Sequence, residues 1–172
     1  MRIDINDFEI KECGEEYLPE LLEIQDEAFE HLESPELLRK NTPEMLLECL
    51  RPPHITLGAF YRGRLAAFSI LYFPQSTEER LSDSLSFDCE DKKTVNYKLC
   101  IVRKDFWGNS LQYELASRLV ERARDAGMDI ICATASPHNK HSERNILRLG
   151  FKCDKTLEKY GLSRNLYYKE LN

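Results

Sequence analysis

The chain has 172 residues, 42% of them hydrophobic and 31% charged, with 7 Gly and 7 Pro. That is the composition of one globular domain over residues 1–172, and it excludes a disordered or fibrous chain. The net charge of −6 is uneven: residues 1–50 carry 15 acidic and 4 basic side chains, residues 51–100 carry 6 and 7, and residues 101–172 carry 9 and 13. A locally basic C-terminal part in an acidic protein suits a small polyanion and speaks against nucleic acid, whose binders are basic as a whole.

A chain of this length buries roughly 70% of its unfolded surface, so its core needs no metal or disulfide. Cys13, Cys49, Cys89, Cys100, Cys132 and Cys153 form no Cys-x-x-Cys pair and have no ligand-spaced histidine. They read as reduced structural thiols, and no metal site is expected. The longest nearly apolar run, 65–73, is too short to span a bilayer, and residues 1–11 mix charges with single apolar residues, unlike a signal peptide. The expectation is a cytoplasmic protein without membrane or nucleic-acid partners, a monomer or homodimer.

Taken in chain order, residues 8–11 alternate as a strand does, and Tyr17, Leu18, Leu21, Leu22, Ile24, Ala28 and Phe29 then recur at helical spacing among acidic residues. Pro35 and Pro43 sit where the first turns of short helices tolerate them, and Pro52-Pro53 stop the second. Residues 54–61 and 65–73 predict two strands joined at Arg62-Gly63 as a hairpin, ended by Pro74. Residues 75–93, polar and acidic, predict a surface excursion. A strand over 95–103 gives way at Gly108 to helical period, with Leu111, Leu115, Leu119 and Ala123 in one stripe that ends at Gly127. Asn109 and Gln112 predict a capping-box start for this helix. Residues 128–135 predict a buried strand and 137–149 a helix closed by Gly150, followed by a final hairpin from 151–160 and 165–171.

The segment from Leu99 through Gly108 to Leu111 is strand, tight turn, helix. A glycine opening a helix lets backbone approach a ligand, and the first-turn N–H groups with the positive end of the helix dipole hold phosphate oxygens. It is neither a P-loop nor a dinucleotide fingerprint, since no Gly-Lys-Ser/Thr follows and only one glycine is present. Phe106 and Trp107 either flank a bound ligand or plug the core. Asn139 is either a helix cap or a ligand contact.

Val102-Arg103-Lys104-Asp105-Phe106-Trp107-Gly108-Asn109-Ser110-Leu111, taken with Asn139-Lys140-His141-Ser142 and Gly150-Phe151, resembles the two acyl-CoA-binding motifs of the GNAT superfamily of N-acetyltransferases. The order of elements over about residues 54–171 agrees. Ser110 and Gln112 depart from the usual small residues, Trp107 from a basic or amide residue, and Ile146 from a frequent Tyr that protonates the departing thiolate. The resemblance implies an α/β (α+β) GNAT-like fold, with a mixed, mostly antiparallel sheet of about seven strands, splayed at the CoA site, and helices on both faces. It implies acetyl-CoA as co-substrate, held by Ile101, Val102, Arg103, Phe106, Trp107, Gly108, Asn109, Ser110, Leu111, Asn139 and Ser142. The backbone at 100–102 would hold the pantetheine arm.

The implied activity is direct transfer of an acetyl group to a primary amine of a small molecule or peptide. No carboxylate lies between Thr94 and Lys104, so water or His138 would take the amine proton. His138, Tyr113 or water would serve the thiolate, and Glu27, Glu30 and Glu33 would face a cationic acceptor. A second reading is an acyl-CoA-binding sensor of the same fold without turnover, suggested by Ile146, Ser110 and Gln112. A third is an interaction domain with no CoA site.

Overall fold

The structure is a computed structural model that describes residues 2–159 and 161–172. Its elements in order are β1 (Glu9–Glu12), α1 (Leu18–Glu30), α2 (Pro43–Cys49), β2 (Ile55–Tyr61), β3 (Arg64–Tyr72), β4 (Thr94–Val102), α3 (Leu111–Asp125), β5 (Ile130–Ala135), α4 (Lys140–Arg148), β6 (Lys152–Lys159) and β7 (Leu162–Glu170). The expected end of the penultimate strand, Tyr160, lies outside the described residues.

The strands form one seven-stranded sheet in the order β1-β2-β3-β4-β5-β7-β6. All neighbours are antiparallel except β4 and β5, which are parallel and joined across α3. The β2–β3 hairpin turns at Arg62 (φ 51°) and Gly63 (φ 80°), the paired left-handed residues that match a tight turn to strand twist.

Strand alternation sends side chains to two cores. On one face, Leu111, Leu115, Leu119 and Ala123 of α3 and Ile146 of α4 pack on Val95, Tyr97, Ile131 and Ala133. On the other, Leu21 and Ile24 of α1 and Leu46 of α2 pack on Leu65, Phe68, Ile70, Leu99 and Ile101. The central β3 serves both, which is why it reads as a continuous apolar run.

Residues 75–93 are more than a surface excursion. Leu81, Leu85 and Cys89 are buried against Ile130, Cys132 and Leu166, and Arg80 ties the segment together through the carbonyls of Cys89 (2.6 Å) and Lys92 (3.0 Å). The apolar residues are too sparse for a periodic signal, yet they cover the exposed half of β5. Cys153 is likewise exposed rather than buried, and among the described residues all six cysteines are free. Among those residues no helix is long and apolar enough to cross a membrane.

Candidate active site

The site begins where the sheet opens. β4 pairs with β5 only from Thr94↔Ile130 to Tyr97↔Ala133, although β4 runs on to Val102 and β5 to Ala135. On its other side β4 stays bonded to β3 as far as Ala67↔Val102, with a register shift that leaves Lys98 unopposed. Such a bulge bends its strand. The edge of β4 facing the gap thus keeps main-chain groups that an extended ligand can bond as an added strand. One is already used, since the Trp107 indole N–H donates to the Val102 carbonyl at 3.0 Å.

A cavity of about 900 Å³ lies along this edge. Its floor is the turn into α3, where Gly108 (φ 84°) and Ser110 (φ 59°) are both left-handed. The first backbone bond into the helix runs from Glu114 N to Ser110 O, and no side chain caps the helix start. The amides of the first turn therefore have no intrahelical partner and make an anion-seeking end. Lys104, Arg144 and Arg148 stand on the same wall, with Glu33 the one acidic residue there among the described residues.

Each residue expected here has a definite place. Ser142 lines the cavity, and Asn139 caps α4 by accepting from Ser142 N at 3.1 Å. Ile101 and Leu111 bury their side chains in the two cores and leave only backbone for a ligand. Phe106 is buried against the rings of Phe8 and Tyr61, at 6.0 and 5.8 Å, whereas Trp107 is 54% exposed. One plugs the core and the other flanks the cavity.

Two expectations are corrected. The Asn109–Gln112 capping box does not form, because the left-handed Ser110 turns the chain between Asn109 and the helix. Asn109 Oδ1 instead accepts from Ile3 N at 2.7 Å, and Gln112 donates to Ser142 Oγ at 3.1 Å. Arg103, expected at the ligand, points through the other face: it donates to Leu65 O (2.7 Å), Glu27 (2.6 Å) and Glu23 (3.0 Å) and is 3% exposed. It locks α1 to the end of β4.

A second cavity of about 360 Å³ adjoins the first. The two share Leu37, Leu38, Cys100, Gln112, Asn139 and Ser142, so they meet at the strand gap beneath residues 37 and 38. Its wall carries Glu48, Tyr72, Glu79, Lys98, Asn41, Asn96, Tyr97 and Ile146. The Tyr72 hydroxyl lies 3.0 Å from Glu48 Oε1 and 2.8 Å from Glu79 Oε1. Burial, then these two carboxylates, push its pKa upward. For Glu79, burial alone would raise the pKa, but the Gln75 N–H, the Tyr72 hydroxyl and Lys98 outweigh it and hold the carboxyl below its ordinary range.

His54 stacks on Tyr72 at 4.1 Å, accepts from Phe73 N through Nδ1 (3.0 Å), and sets Nε2 3.7 Å from Glu48. Burial, first among its influences, lowers its pKa. Near the meeting point, burial pushes the Cys100 thiol up to about 12 and raises the Tyr97 hydroxyl well above its usual value, with Cys100, Ser69 and Gln112 as its polar neighbours. Cys100 is therefore a thiol at neutral pH and a poor nucleophile.

The proton-handling residues expected from sequence stand elsewhere. His138 is exposed and lines neither cavity. Tyr113 lines neither and faces Arg148, whose guanidinium lies 4.1 Å from its ring. Glu27 is committed to Arg103, Glu30 is exposed and lines neither cavity, and Glu33 lies on the larger one. The carboxylates that do reach the smaller cavity, Glu48, Glu78 and Glu79, come from α2 and the segment after β3, and no local motif marks them.

An open parallel pair, an uncapped left-handed turn and a cavity divided at the gap suit a transferase that binds an extended, phosphate-bearing co-substrate. The sequence matches the acetyltransferase (GNAT) family over residues 18–151, and the chain belongs to that family. No curated protein matches it. Among solved structures it is similar to yncA of Salmonella typhimurium, solved with its cofactor acetyl-CoA, at 20% identity and a TM-score of 0.73, covering 97% of this chain and 95% of that one. It is also similar to a GNAT-family acetyltransferase of Streptococcus pneumoniae, at 18% identity and TM-score 0.72 over 96% and 99%. The ribosomal-protein-alanine N-acetyltransferase of Brucella melitensis gives 20% and 0.71 over 94% and 99%. At these identities the likeness is one of fold.

Proposed function

We propose that the chain moves an acetyl group from acetyl-CoA to a primary amine by direct attack, with the thioester at the junction of the two cavities. The observation that carries this reading is the unpaired edge of β4 running from the uncapped α3 turn to the carboxylate-walled cavity. The residues fit the co-substrate: Gly108 has open space around its α-carbon, the amides of Asn109, Ser110 and Leu111 face a pyrophosphate, and the backbone of Ile101 and Val102 takes the pantetheine arm. Acetyl-CoA supplies an activated carbonyl and a thiolate leaving group.

The remaining work is positioning and proton handling. Glu48 and Glu79 receive the acceptor's ammonium, take one proton and release it to water at the exposed rim. The amine nitrogen then attacks the carbonyl, the C–N bond forms as the C–S bond breaks, and the second nitrogen-bound proton balances the thiolate. Tyr97, kept protonated by burial and beside Cys100 and Gln112 of the junction, delivers its proton to sulfur and regains one from the nitrogen, in the role Ile146 cannot fill.

CoA should raise the melting temperature by mass action, and a Gly108→Glu chain should fold and lose that shift. A folded Gly108→Glu protein with an undiminished shift removes CoA from this turn. A shift in the wild type with no thiol released from acetyl-CoA over a panel of amines leaves the sensor reading in its place.

A further inference from the structure

Among the described residues, the buried side-chain polar atoms without a hydrogen-bond partner are Asn41 Oδ1, Asn96 Oδ1 and the Tyr97 hydroxyl. All three residues line the smaller cavity. Native interiors leave few such groups, and a cluster of them on one cavity wall points to an absent partner. All three line the smaller cavity alone; Tyr97 has Cys100 and Gln112 of the junction as polar neighbours, whereas Asn41 and Asn96 stand away from it.

The two amide oxygens are fixed as acceptors by what their nitrogens do. Asn96 Nδ2 donates to the Glu79 carbonyl at 2.8 Å, and Asn41 Nδ2 to the Arg39 carbonyl at 3.2 Å. Carbonyls only accept, so neither amide can be turned round. Asn41 and Asn96 are 3% and 6% exposed, so water reaches neither freely.

The two carboxylates beside them share one protein hydroxyl, although Glu48 is half exposed and Glu79 also accepts from Gln75 N. Tyr72 has one hydroxyl hydrogen for two carboxylate oxygens at 3.0 and 2.8 Å, and one of those contacts lacks a proton. The cations on the wall, Lys98, Arg39 and Arg164, leave both asparagine oxygens unfilled. The two asparagine oxygens are acceptors that no donor on the wall reaches.

Resting on the acetyl-transfer reading, we infer that the acceptor is a small diamine or polyamine: one ammonium lies at Glu48 and Glu79 and is acetylated, and further N–H groups donate to Asn96 Oδ1 and Asn41 Oδ1. A free amino acid or peptide terminus fits less well. It brings a carboxylate or carbonyls along with its N–H groups, and those acceptors cannot fill Asn41 Oδ1 or Asn96 Oδ1. A monoamine satisfies the carboxylates and leaves the asparagines empty.

The test compares 1,4-diaminobutane, butylamine and alanyl-alanine amide as acceptors, following thiol release from acetyl-CoA, with calorimetric titration of each amine into the CoA-bound protein. The diamine should exceed butylamine in kcat/KM by about 10- to 100-fold, the range that hydrogen bonds to a charged donor supply. Asn96→Leu should bring that ratio close to one.

Equal wild-type values for diamine and butylamine, or a preference for the dipeptide amide, overturn the inference while transfer itself stands. Because this comparison needs no variant, it decides the matter even if Asn96→Leu fails to fold. If no amine is acetylated but the diamine binds at least tenfold tighter than butylamine, the donor-seeking cavity stands and the transfer reading falls. If no amine binds or reacts, the inference falls.

Discussion

The two cavities meet at Cys100 and are built on opposite principles. The larger one offers a ligand mainly main chain: the free edge of β4, the left-handed Gly108 and Ser110, and the uncapped amides of α3. The smaller one is walled by side chains from α2, β3, β4 and the segment between them. A main-chain site binds the same groups whatever residues surround it, provided the backbone path is kept. A side-chain site changes its preference with each substitution. The first is therefore suited to a constant co-substrate and the second to an acceptor particular to this protein.

The most damaging change to this division is expected at the side-chain wall. Glu48→Gln together with Glu79→Gln removes both carboxylates, and kcat/KM for an amine should fall by about 100- to 10,000-fold, the usual worth of a proton acceptor. The CoA-induced melting shift should persist. Loss of that shift as well would mean that the two cavities do not act separately.

The next largest effect concerns the clamp behind both cavities. Arg103→Ala leaves the Leu65 carbonyl and Glu27 without their buried partner, and should destabilise the fold by about 3 kcal/mol, the low end for a broken buried pair, since Glu23 and Glu27 can still reach water. A urea titration measures this. A change below about 0.5 kcal/mol, the scale of ordinary surface substitutions, would show that α1 is not held to β4 through this residue.

Tyr97→Phe sharpens the contrast differently. Removing a buried hydroxyl without a partner should leave stability unchanged or raised by up to about 1 kcal/mol, while turnover falls tenfold or more as the thiolate loses its donor. A slower enzyme that melts no lower separates a chemical role from a packing one. Unchanged turnover would assign the proton to water.

The smallest effect is a pH dependence at His54. Its folded pKa lies below 6.5 because burial disfavours the charged ring, and Nδ1 must stay unprotonated to accept from Phe73 N. The native state then binds fewer protons than the unfolded chain. This contribution to stability is present above pH 6.5 and declines as pH falls from there toward the folded pKa. Urea midpoints taken from pH 7.5 to 5.5 should drop, and His54→Gln should flatten part of that drop.

The β2–β3 hairpin, α3, α4 and the strand–turn–helix at Gly108 are legible in the chain because each is written in a contiguous stretch: alternation of two, stripes of 3.6, Arg62-Gly63, Asn139 and Gly150. The larger cavity inherits this legibility, since Gly108, Asn139 and Ser142 line it. Its details at Asn109 and Arg103 were not, since one left-handed residue and one turn of strand direction decide which way those side chains point.

The smaller cavity is hidden for a stronger reason. Glu48, Tyr72, Glu79 and Asn96 lie on three elements and a turn spread over nearly fifty residues, and no spacing links them before the sheet forms. Local periodicity and turn chemistry act over a few residues, so the sequence by itself determined the elements, their order and the strand–turn–helix at Gly108. The opening between β4 and β5, the burial that keeps Cys100 and Tyr97 protonated, and the convergence of carboxylates on the gap depend on long-range packing. Those were decided only by the tertiary structure, because desolvation and proximity exist only once distant segments share one interior.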